Sequence, residues 1–164
     1  MSHPGARLSD VGLWKPWKEL ARRGHISFRL DPNLPRSTGG AIYVREGDRA
    51  LIVIAGWLDQ RERKCALGHE LIHDEAESSC RHFGAPKLWD AVVAREEAQI
   101  DREAARRLVP RNELVAFLAR EATMIDPAVT LADIAERFDV IERYADLAFS
   151  SLVVTPAGWG EIVA

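Results

Sequence analysis

His69, Glu70 and His73 stand in the run His69-Glu70-Leu71-Ile72-His73, an HExxH spacing. On a helix each residue advances about 100°, so positions four apart lie about 40° apart and both imidazoles leave one face. Two neutral imidazoles so placed can hold one Zn²⁺ at two corners of a tetrahedron. Glu70, one step round, is placed to take a proton from a water on that metal. Leu67 and Leu71 fall on the opposite side, which sets the expected helix between a core and a cleft. The plain alternative is a surface helix that happens to carry two histidines.

A catalytic zinc takes a third protein ligand and leaves a position for water. The next helical stretch offers Glu96, Glu97, Asp101 and Glu103. Glu97 falls on the edge of that stretch's apolar stripe, with Asp101 one turn on. A glutamate ligand followed four residues later by an aspartate is useful, because the aspartate can accept the N–H of a ligating histidine and fix its tautomer. Glu96 is followed at that spacing by Ile100, so the pair Glu97 and Asp101 is preferred over Glu96. Surface charges of an acidic helix are the competing reading. Cys65, one turn before His69, admits a Cys-His-His set, weighed against a small buried side chain. His82 and Tyr144 are candidates for the cleft rim or for stabilising an oxyanion. His25 stands alone, with no metal spacing around it.

These side chains need elements to carry them. Pro16 in a first turn and Gly24 as a stop delimit a helix from Leu13 to Arg23, where Trp14 and Trp17 share a face and cap a core edge. Ile26, Phe28 and Leu30 alternate with polar residues over 25–30, a half-buried strand. Ala41–Arg45 and Ala50–Ala55 read as two more, joined through Glu46-Gly47-Asp48-Arg49. The run Leu51-Ile52-Val53-Ile54 is apolar on both faces and belongs in the middle of the sheet. Asp59 and Glu62 form a capping box for the motif helix, which runs to about Asp74 or Ala76. Glu75–Pro86 reads as a rim loop. A long amphipathic helix covers Lys87–Val109, with Trp89, Val93, Ile100 and Ala104 on its stripe and Pro110 as its end. Arg111–Glu121 follows, with Asn112 as its cap and Leu114, Val115, Phe117 and Leu118 packing. Thr130 with Asp133 caps Leu131–Phe138. Ile141 to about Phe149 is the last helix, and 152–164 a tail or short strand.

The net charge of −3 gives no general attraction to nucleic acid or anionic membrane. Residues 1–10 lack a basic region followed by an apolar run, so no signal peptide is expected. No apolar stretch approaches the roughly 20 residues of a membrane span. Cys65 and Cys80 make no disulfide framework, and a reducing cytoplasm is the simplest setting.

The chain resembles the ImmA/IrrE family of metallopeptidases, gluzincin-like zinc enzymes of bacteria and mobile elements. The resemblance lies in Arg63–His73, in Glu97–Pro110, and in Leu131-Ala132 to Phe138-Asp139-Val140, and covers about residues 25–149. The chain departs from the family at Cys65, where an aromatic is usual, at Glu103, where Phe is usual, and at Ile141, where Ser is usual. The resemblance implies an α+β fold: a minimal zincin core with a small N-terminal antiparallel or mixed sheet, the HExxH helix and a second ligand helix, then C-terminal helices. It divides the chain into an N-terminal arm and short helix (1–24), a zincin-like core (25–110) and a C-terminal helical region with its tail (111–164). It implies a cytoplasmic zinc endopeptidase that cleaves a specific partner, typically a helix-turn-helix repressor encoded nearby. His69, His73 and Glu97 are then the ligands, Glu70 the base and Asp101 the support for a histidine. Two rival readings are a metal-containing anti-repressor that binds without cleaving, and a DNA-binding regulator built on 131–149. In the latter, Asp133, Glu136, Asp139, Glu142 and Asp146 would meet phosphate badly.

Overall fold

A computed structural model describes residues 13–77, 90–122 and 129–153. An N-terminal sheet and C-terminal helices make an α+β fold. β1 (Ile26–Asp31) pairs in parallel with β3 (Arg49–Ala55), and β2 (Ala41–Glu46) pairs antiparallel with β3, so the sheet is mixed with order β1-β3-β2. The apolar run of β3 accounts for its central place: Ile52 and Ile54 are fully buried and Val53 nearly so. Glu46 pairs with Arg49 across a two-residue turn, in which Gly47 takes φ 61°, a backbone that glycine adopts without steric cost.

α2 (Gln60–Glu75) carries the HExxH run. Its start is fixed by a capping box: Asp59 Oδ1 accepts the Glu62 N–H at 2.8 Å, and Glu62 Oε2 accepts the Asp59 N–H at 2.7 Å. Such a cap contributes roughly 0.5–2 kcal/mol. One face of α2 puts Leu67 and Leu71 into a core shared with Tyr43, Ile52 and Ile54 of the sheet. Another puts Cys65 and Ile72 into a second core, built by the helices that follow. These are α3 (Asp90–Leu108), α4 (Arg111–Glu121), α5 (Leu131–Phe138) and α6 (Glu142–Val153). The motif helix is thus held between a sheet and a helical layer, which leaves the histidine face for the cleft. α1 (Pro16–Arg22) lies against α2, and Trp14 just before it touches both cores. Gly68 permits this approach, since a Cβ there would stand 3.1 Å from the Trp14 ring.

Thr130 and Asp133 form the expected box at α5, which ends at Asp139 with φ 53°. Lys64 Nζ donates to the Phe138 and Asp139 carbonyls at 3.0 and 2.9 Å, tying that helix end to α2.

Several expectations need correction. α1 begins at Pro16, not Leu13, and Trp17 is 41% exposed, edge-on to Phe28 at 5.3 Å. β1 is an edge strand whose cover thins toward its end, so Leu30 is 44% exposed rather than packed with Ile26 and Phe28. Glu75 belongs to α2, not to the rim loop. The cap position of α4 is Pro110, whose extended backbone enters the helix two residues before Asn112, and no side chain caps it. Val115 is exposed, while Leu114 and Phe117 are buried. α6 runs to Val153 and takes in Leu152, because Tyr144, Ala148 and Leu152 continue one apolar stripe at four-residue spacing against the second core. Lys87–Trp89, Cys80, His82 and most of the tail lie outside the described residues. Among the described residues no helix is long and apolar enough to cross a membrane.

Candidate metal centre

α2 and α3 face each other across the mouth of the second core. The contact brings together His69, His73 and Glu97, whose donor atoms all lie within 4.8 Å of one another. His69 Nε2 is 3.0 Å from His73 Nε2 and 3.1 Å from Glu97 Oε2, and His73 Nε2 is 3.4 Å from Glu97 Oε1. Bonds of 2.0–2.1 Å in a tetrahedron imply donor–donor edges of about 3.3 Å. Two imidazole nitrogens and a carboxylate oxygen are also a donor set that zinc accepts. The residues present therefore fit a metal ion.

Asp101, 4% exposed, sits behind His69. His69 Nδ1 donates to Asp101 Oδ1 at 2.9 Å, which fixes the tautomer and turns the Nε2 lone pair toward the other donors. The same Oδ1 accepts the Tyr144 hydroxyl at 3.1 Å, and Oδ2 accepts Arg143 Nη2. Without a metal, burial alone would depress the His69 pKa. The hydrogen bonds to Asp101 and Glu97 outweigh burial and push it from 6.5 up to about 10. In turn, the hydrogen bonds from His69 and then His73 hold the Glu97 carboxyl well below the usual carboxylate range. Burial acts to raise the Asp101 pKa, but its bond to His69 and the charges of His69 and Arg143 hold it down. A cluster this acidic attracts a cation, and in the metal-free protein a proton on His69 supplies part of that charge.

Glu70 is 4% exposed and lines the same cavity as His69, Glu97 and Asp101, a space of about 330 Å³. The buried charged or polar side chains of the described chain are Glu70, His73, Asp74 and Asp101, and all four belong to this neighbourhood. Ionisable groups are costly to bury unless they are paired, so their concentration in one place marks the site. A larger groove of about 660 Å³ contains none of His69, Glu70, His73 and Glu97, so size alone does not mark the chemistry. Glu96 and Glu103 line that groove instead, and Glu103 is bound to Arg106 and Arg107. Neither is among the metal-ligand cluster. Cys65 is likewise outside it: the thiol is buried in the second core, where its Sγ accepts the Ile141 N–H at 3.4 Å. Burial pushes that thiol up to about 11, which suits packing rather than thiolate ligation.

The sequence reading missed a second support, behind His73. Asp74 accepts from His25 Nε2 and from the Tyr43 hydroxyl, both at 2.9 Å on Oδ1, and from Arg23 Nη1 at 2.8 Å on Oδ2. Burial opposes the Asp74 charge, and these three donors overcome it and lower its pKa. Tyr43 stacks along the His73 ring, with centroids 6.3 Å apart and planes 12° apart. Burial, then the bond to Asp74, pushes its phenol up to about 12, so it stays protonated as a donor. Only one sign of this was present in the sequence: a carboxylate directly after the second histidine, on a turn that must be buried. The partners come from the residue that ends α1, the turn before β1 and β2 itself, between 31 and 51 residues away.

Tyr144 is buried and reaches the site through Asp101. His82 lies outside the described residues. No family model, no curated protein and no solved structure matches the chain.

Proposed function

We propose that the chain is a zinc-dependent endopeptidase that cleaves one partner protein, a helix-turn-helix repressor encoded nearby, and so relieves repression. The observation that carries the hydrolytic part is a buried Glu70 sharing one cavity with His69 and Glu97, two members of the His69, His73 and Glu97 donor cluster. The choice of a repressor as partner rests on the resemblance to ImmA/IrrE metallopeptidases.

His69, His73 and Glu97 would hold the metal. When bound, zinc brings the pKa of a water to about 7 and polarises a carbonyl. Asp101 keeps the His69 proton on Nδ1, so that Nε2 is free to ligate. Tyr43 and Asp74 hold the second histidine's turn against the sheet. Glu70 takes a proton from the attacking water and hands it to the leaving amine. The packing of Leu67 and Leu71 against the sheet fixes the α2 face from which Glu70 projects.

The test is incubation of the metal-loaded protein with the product of the neighbouring repressor gene, read by mass spectrometry. Cleavage that disappears on chelation and in Glu70→Gln supports the proposal. A stable complex with intact repressor would replace it with an anti-repressor that acts by binding. Neither cleavage nor complex would remove the repressor as partner.

A further inference from the structure

We infer that Arg143 is the residue that donates to the carbonyl oxygen of the scissile bond as negative charge develops on it. The inference rests on the hydrolytic reading above and adds a catalytic group to it.

The cavity beside the donor cluster has a one-sided charge. Its wall carries the carboxylates of Glu62, Glu70, Glu97 and Asp101, and Arg143 is the single Lys or Arg among its described lining residues. An oxygen that becomes anionic there has a single cationic Lys or Arg side chain in the described lining to meet it. Charge development in a transition state needs donors already in place.

The neighbouring donors are committed elsewhere. His69 gives its Nδ1 proton to Asp101, and Tyr144 gives its one hydroxyl proton to the same oxygen, at 2.9 and 3.1 Å. Tyr144 also lines the cavity but is only 4% exposed. Arg143 differs in both respects. Its guanidinium has five N–H donors, and among the described residues only Nη2 is engaged, on Asp101 Oδ2. Its side chain is 68% exposed and lines the cavity. One end is therefore anchored and the rest of the fork is open. Anchoring removes much of the rotamer freedom that a long side chain would otherwise lose on engaging substrate. The anchor is the carboxylate that also orients His69, so the guanidinium is held beside the donor cluster by a shared residue.

The step balances without a further reagent. The water oxygen bonds to the carbonyl carbon, the C=O π pair moves to oxygen, and an Arg143 N–H donates to that oxygen without transferring its proton. When the pair returns, the C–N bond breaks and the amine takes the proton held by Glu70. The products are a carboxylic acid and an amine, and the acid's proton, the water's second, passes to the amine to leave a carboxylate and an ammonium.

The experiment uses two probes on the zinc-loaded chain: a peptidyl phosphoramidate, whose tetrahedral anion resembles the charged carbon centre, and a hydroxamate with the same side chains, which is planar. Binding is measured by calorimetry for the wild type, Arg143→Ala and Arg143→Lys, with zinc content checked in each. Loss of one such donor typically costs about 100-fold or more in rate, so phosphoramidate affinity should fall about 100-fold in Arg143→Ala and about 10-fold in Arg143→Lys. Hydroxamate affinity should stay within about threefold. Equal losses for both probes, explained by lost zinc, would make Arg143 merely a prop for Asp101 and overturn the inference. Full phosphoramidate affinity in Arg143→Ala, with the wild type binding both probes, overturns it while sparing the hydrolytic reading. A zinc-loaded wild type that binds neither probe overturns both.

Discussion

Zinc uptake should displace a proton from His69, and the size of the effect follows from its surroundings. In the metal-free protein, burial opposes the imidazolium. The Asp101 and Glu97 hydrogen bonds outweigh burial and take its pKa from 6.5 to about 10. At pH 7 almost every molecule then carries that proton, while the metal requires a neutral Nε2. Each zinc bound at pH 7 should therefore release about one proton from His69, with any proton lost from a bound water in addition. Apparent zinc affinity should rise about tenfold, or 1.36 kcal/mol, for each pH unit between 7 and 9. Calorimetric titration in buffers of different ionisation enthalpy gives the proton count directly. Release of fewer than about half a proton per zinc, or an affinity flat from pH 7 to 9, would refute the reasoning. The same charge stabilises the metal-free fold. Because the folded pKa is the raised one, this contribution is complete below pH 6.5 and lost as pH climbs through about 10.

Glu70→Gln should keep its zinc by elemental analysis and lose hydrolysis, since an amide cannot accept the proton. Glu97→Ala should lose most of its zinc, Asp101→Ala should bind about 10–100-fold more weakly, and Glu96→Ala, which lies outside the donor cluster, should bind as wild type; equal affinity in Glu97→Ala and Glu96→Ala would displace Glu97 as the ligand. Leu71→Ala removes a fully buried side chain between α2 and the sheet. It should destabilise the protein by about 2–5 kcal/mol in denaturant unfolding, and a cost under about 1 kcal/mol would mean that the sheet does not hold the motif helix.

Much of the site was open to reading because its spacings are local. The step from His69 to His73 sets two imidazoles on one face, and the step from Glu97 to Asp101 sets ligand and support one turn apart on the next helix. A helix fixes such relations through its own backbone, whatever it packs against. The capping boxes at Asp59 and Thr130 were legible for the same reason, since each joins residues three apart. Less could be read where packing decided the outcome. Leu30 and Val115 are apolar at positions that the alternation and the helical period assigned to a core, yet both are exposed, because no periodicity states how far a neighbouring element extends. Asn112 had the chemistry of a cap, but the geometry of Pro110 placed the cap elsewhere.

By itself the sequence determined which residues could ligate, which could take a proton, where the motif helix begins and which strand lies in the middle of the sheet. These follow from side-chain chemistry, from short-range backbone geometry and from runs of apolar residues. Tertiary structure alone decided that α3 packs against α2 so that Glu97, the glutamate that helical spacing favoured, comes within reach of both histidines. It alone gathered Arg23 and His25 from the link between α1 and β1, and Tyr43 from β2, onto Asp74, and hung Arg143 from Asp101 at the cavity. Those contacts span tens of residues. Their geometry is set by how two cores close around one helix, and no periodicity along the chain records that closure.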